Sequence, residues 1–119
     1  MNLTECYEIL GGSLEDTTGR LASEKNVYKF LNMFLNDGSY NLLTDSLESG
    51  NADEAFRAAH SLKGVCLNLG LGNLFKSSNE FTDALRAGSI PDDYKAYYDK
   101  VTADYDSAVN AIKQLDPVE

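Results

Sequence analysis

The chain has a single histidine, His60, and the residues at helical spacing around it are those that could support chemistry. Lys63 and Gly64 follow at three and four residues, so on an α-helix both lie one turn ahead of the imidazole, one on each flank. A neutral imidazole open to solvent is a good nucleophile toward phosphorus, and an ordinary histidine is largely neutral at cytosolic pH. A lysine three residues away is placed to hold the oxygens of a phosphoryl group carried on the ring. Glycine inside a helix costs about 1 kcal/mol relative to alanine. A missing side chain beside His60 would offset that cost by letting another molecule's surface come close.

The helix that carries these residues is expected over about 52–69, from the box-like start Asn51-Ala52-Asp53-Glu54 to Gly70-Leu71-Gly72. On a wheel at about 100° per residue, with His60 at zero, Ala55, Ala59, Leu62, Cys66 and Leu69 fall between about 180° and 260°. That stripe must be the buried face, so His60 points to solvent. The plain alternative is an idle surface histidine. Against it stand Phe56 and Leu67, at about −40° and −20°, which bracket His60 on the exposed face and read as a docking patch.

Other chemistries find little support. Ser61 adjoins His60 in sequence, but neighbouring helical residues point about 100° apart, which disfavours a Ser–His dyad. No Gly-rich phosphate cradle with Lys and Ser/Thr is present, and Gly70-Leu71-Gly72 lacks the rest of a dinucleotide fingerprint. The carboxylates are spread along helix faces as solvating charge rather than clustered as an active or metal site. Cys6 and Cys66 stand far apart and read as two reduced, partly buried thiols; with one histidine and scattered cysteines no Cys/His zinc site can be assembled.

With 119 residues and 43% apolar composition, the chain is long enough for one domain, 1–119, with a real core. Lys plus Arg total 10 against 19 Asp plus Glu, a net charge of −9, which makes nucleic acid and membrane surfaces poor partners. No apolar run reaches the roughly 18 residues of a membrane span, and the N-terminus lacks a signal pattern, so a cytoplasmic location is expected unless the chain is part of something larger.

Apolar residues recur at three- and four-residue spacing throughout, and alternating strand patterns are missing. Leu3, Tyr7 and Leu10 suit a short first helix ended by Gly11-Gly12, and Ser13-Leu14-Glu15-Asp16 has the form of a second short start. Ser23 can cap a helix bearing Val27, Phe30, Leu31, Phe34 and Leu35, which Asn36-Asp37-Gly38 breaks. A further helix holds Leu42, Leu43 and Leu47 and stops at Gly50. Asn73 opens a helix bearing Leu74, Phe75, Ser78, Phe81 and Leu85, which ends near Gly88. Pro91 is expected in the first turn of the last helix, whose Tyr94, Tyr98, Val101, Tyr105, Ala108 and Ile112 form a core seam. The fold class is all-α: an antiparallel four-helix bundle with one or two short N-terminal helices.

His60-Ser61-Leu62-Lys63-Gly64, preceded by Ala58-Ala59 and followed by Asn68-Leu69-Gly70 and Leu74, resembles the motif of histidine-containing phosphotransfer (HPt) domains. Gly12, Arg20-Leu21, Tyr28 and Phe34 match that family's run into its bundle, so the resemblance extends over about residues 3–114. It implies a phosphorelay carrier in two-component signalling, without kinase activity or a cofactor of its own. His60 would accept a phosphoryl group through Nε2 from a receiver-domain aspartate and pass it to another, with the receiver supplying Mg²⁺. Lys63 would hold the phosphoryl oxygens, Gly64 would leave clearance, and Phe56, Arg57 and Leu67 would form the docking surface. The implied partners are receiver domains of response regulators or of a hybrid histidine kinase, and the carrier would be monomeric. Two positions depart from the pattern. Val65 stands where a small residue is usual, and at about 140° it should pack partly inward. Thr82 stands where some members carry a glutamine, and from there it would reach the ring or a bound water. Two other readings fit the same residues: a phosphorylation-independent adaptor docking through Phe56 and Leu67, and the phosphoacceptor module of a histidine kinase.

Overall fold

Short polar side chains start several of the helices by accepting the backbone N–H groups that a first turn leaves free. A computed structural model describes residues 1–118 and contains, among them, α1 (Leu3–Leu10), α2 (Leu14–Leu21), α3 (Glu24–Phe34), α4 (Ser39–Glu48), α5 (Ala52–Leu69), α6 (Gly72–Leu85) and α7 (Tyr94–Lys113). The side chains of Ser13, Ser23 and Asn51 accept from the N–H of Asp16, Asn26 and Glu54, each at 3.1 Å, at the three starts the sequence marks. Asn2 caps α1 in the same way, and the Glu5 carboxylate accepts from the Asn2 N–H in return.

Two expected starts shift. α6 begins at Gly72, one residue before Asn73. The Asn73 amide instead donates to the Ile9 carbonyl at 3.1 Å, so it ties α6 to α1 rather than opening the helix. Pro91 lies in a turn ahead of α7 and not in its first turn. The Tyr94 N–H donates to the Pro91 carbonyl at 3.1 Å across three residues, and this tighter turn delays the regular helix to Tyr94.

The bundle consists of α4, α5, α6 and α7, each reversing on the one before. The α4–α5 and α5–α6 joints are too short for anything but a reversal. Phe56 near the start of α5 meets Arg86 at the end of α6, as an antiparallel pair requires. α3 extends the wall that α4 begins, because Phe34 and Tyr40 both pack on Tyr105 of α7, with ring centroids 5.9 and 4.1 Å apart. Leu31, Leu43, Leu62, Leu74, Phe81, Leu85 and Val101 fill the centre and are fully buried. The α7 seam is buried at Val101, Ala108 and Ile112, while Tyr94, Tyr98 and Tyr105 are half-buried at its edge. The Tyr98 and Tyr40 hydroxyls join Thr44 and Thr102 in a chain of hydrogen bonds of 2.7–3.1 Å across α4 and α7.

α1 and α2 seat on the end of the bundle where α5 turns into α6. Backbone meets backbone there. A Cβ on Gly12 would collide with the Gly70 carbonyl, and one on Gly72 with the Gly11 carbonyl. The buried Tyr7 hydroxyl donates to the Leu69 carbonyl at 2.7 Å, and Arg20 donates to the Leu67 and Asn68 carbonyls at 3.2 and 3.3 Å. These donors satisfy the C-terminal carbonyls of α5, where a cation also complements the helix dipole. The end of the helix that carries His60 is thereby fixed.

Candidate functional site

α5 buries the expected stripe. Ala55, Ala59, Leu62 and Cys66 are wholly inaccessible, and Leu69 nearly so. Ala58 is buried too, because α4 and α6 both pack on α5 and widen the covered arc. Opposite that arc, His60 is exposed, and no hydrogen bond among the described residues engages its ring. Ser61 is exposed as well, on a different side of the helix.

Around His60 the helix is open on one flank and cationic on the other. A Cβ built on Gly64 meets no atom within 4 Å, so packing inside the chain does not require glycine there. Its helical cost is therefore not offset by packing among the described residues. Lys63 is half-buried, and among the described residues no carboxylate lies within ion-pair distance of its ammonium. Its stem lies along the protein and its charge remains available.

The apolar pair splits in character. Leu67 is 60% exposed, the most of any large apolar side chain. Phe56 is half-buried and lies parallel to the imidazole, with ring centroids 6.0 Å apart and planes 20° apart. The Arg86 guanidinium carbon also lies over the Phe56 ring, 5.5 Å from its centroid. Arg57 is exposed and pairs with Glu54 at 2.9 Å. Val65 is half-buried against the core, as its angle predicts, and faces Phe30 and Met33 of α3.

Thr82 requires a correction. The Phe56–Arg86 contact sets the register of α5 on α6, and one turn inward it brings Thr82 level with His60. The side chain is nonetheless fully buried, and its hydroxyl donates to the Ser78 carbonyl at 2.7 Å. A group turned inward and already bonded within its own helix does not serve the exposed ring. The residue that α6 does bring to the site is Arg86, which sequence reasoning missed. Only the pairing of the two helices reveals it.

Both cysteines are free and buried. Burial pushes the Cys6 thiol up to about 11 and raises Cys66 as well, which keeps both protonated and unreactive. Among the described residues no three His, Cys, Asp or Glu side chains converge to hold a metal ion. No described helix is long and apolar enough to cross a membrane.

No curated protein and no solved structure matches the chain. A family model, that of the Hpt domain, matches residues 29–115. The match begins inside α3 and takes in the whole of α4–α7 with His60, Lys63 and Gly64. Phe34 falls within it, whereas Gly12, Arg20, Leu21 and Tyr28 precede it.

Proposed function

The chain belongs to the Hpt domain family, whose members are phosphotransfer carriers in two-component signalling, and we propose that His60 is its phosphoacceptor. The observation that carries this reading is the exposed imidazole with open space over Gly64 and the unpaired Lys63 ammonium one turn ahead. Donor and acceptor are aspartates of receiver domains, and the relay operates in the cytoplasm.

The step follows from the chemistry of the groups. The lone pair of a neutral ring nitrogen attacks the phosphorus of an aspartyl phosphate. The P–N bond forms as the P–O bond to the aspartate breaks, and the electron pair leaves on the carboxylate. The other ring nitrogen keeps its proton, so the product is a phosphoimidazole plus a free aspartate. Lys63 donates to the phosphoryl oxygens as their charge shifts, a charge-assisted hydrogen bond. Gly64 admits the receiver's surface, which brings phosphorus to the ring, and Leu67, Phe56 and Arg57 are covered by it. Return transfer to a second receiver is the same step reversed, so one site suffices for both directions.

Incubation with a phosphorylated receiver tests the reading. The chain should acquire the phosphoryl group while the receiver loses it, and the product should be acid-labile and alkali-stable, as a phosphoramidate is. A His60→Gln variant that acquires label as strongly as the wild type would overturn it.

A further inference from the structure

We propose that Arg86, reaching from the end of α6, is a positioning residue for His60 that acts through the Phe56 ring. The proposal rests on the phosphoacceptor reading and adds a residue from a second helix. Three groups form one tier: the Arg86 guanidinium over one face of Phe56 at 5.5 Å, Phe56, and the imidazole of His60 at 6.0 Å and 20°. Arg86 is itself oriented by Asp83, whose carboxylate accepts from it at 3.1 Å.

A lone histidine on a helix surface can occupy more than one staggered rotamer. An aromatic ring one turn toward the N-terminus lies where a helical side chain points, so contact with it selects one of them. Phe56 can select only if it is itself held, and the guanidinium over its ring holds it. The ring of His60 is then oriented before a receiver arrives, and the ordering cost is met in the folded carrier rather than in the complex. Removing Arg86 should leave docking unchanged and slow the transfer step.

The experiment compares Arg86→Met, which keeps an unbranched apolar stem without the charge, with Phe56→Leu, the double variant and Arg86→Lys. Arg86→Met should shift the His60 ring-proton resonances of the unphosphorylated protein. It should also lower the transfer rate at saturating phosphorylated receiver about threefold with KM unchanged, and Arg86→Lys should recover part of the loss. The double variant should be no slower than Phe56→Leu alone, because the action runs through that ring. Unmoved His60 resonances in Arg86→Met would overturn the proposal, as would a double variant whose loss is the product of the two single losses. A change confined to KM would also overturn it, because it would make Arg86 a docking contact. The resonance measurement needs no phosphoryl transfer, so this proposal can fail while the phosphoacceptor reading stands, and the reverse.

Discussion

At the scale of single residues, the site is defined as much by what is missing as by what is present. Gly64 has open space where a Cβ would go, so Gly64→Ala should raise thermal stability by about 0.5–1 kcal/mol, read as an increase in Tm. Gly64→Gln should instead slow transfer from a phosphorylated receiver by standing where the partner's surface comes; a wild-type rate would remove the explanation for the glycine. Lys63→Ala should slow transfer about tenfold and shorten the lifetime of the phosphohistidine, the effect of losing one charge-assisted hydrogen bond of about 1.5 kcal/mol. Unchanged kinetics would show that the ammonium does not hold the phosphoryl oxygens. The outward turn of His60 was legible in the sequence because five apolar residues repeat on the far side of the same helix. The burial of Thr82 and the presence of Arg86 were not, because both depend on how α6 lies against α5, and neither helix's own periodicity contains that register.

At the scale of elements, caps decided which boundaries could be read. Ser13, Ser23 and Asn51 accept first-turn N–H groups with their side chains, and those starts were visible. The N-caps of α6 and α7, Leu71 and Asp93, make no side-chain cap hydrogen bond, and there the expected starts moved. α2 ends on Ala22 with φ +80°, a left-handed conformation that a Cβ disfavours. Ala22→Gly should therefore raise stability by about 0.5–1 kcal/mol in urea unfolding; a loss would show that the C-cap of α2 is unstrained. Gly12→Ala should do the opposite. Its Cβ would meet the Gly70 carbonyl, a backbone atom that cannot swing aside, and a cost of about 2–3 kcal/mol is expected. An unaffected unfolding midpoint would mean that α1 and α2 are not clasped to the α5–α6 turn.

At the scale of the whole molecule, short joints between long amphipathic helices made the bundle legible, whereas the seating of α1 and α2 was not. That seating rests on backbone approaching backbone and on hydrogen bonds such as Tyr7 to the Leu69 carbonyl, which leave no periodic trace. The same buried layer contributes to the alkaline limit of the fold. Burial pushes Cys6 from the ordinary 9.0 up to about 11, and Tyr7 from 10.0 up to about 12. Both groups hold their protons more tightly folded than unfolded. Their contribution to stability is therefore complete below about pH 9 and lost as pH rises through 11 to 12. Urea midpoints that stay level from pH 9 to 12 would contradict this. Against an acidic chain of net charge −9, Lys63 one turn from His60 carries a positive charge with no ion-pair partner among the described residues. Whether the phosphoryl group lands on the imidazole is read most directly by mapping the modified residue. The protein is exposed to a phosphorylated receiver, digested without acid and sequenced by tandem mass spectrometry. The account predicts phosphate on the peptide of α5, at His60; phosphate on another residue, with His60 unmodified, would contradict it.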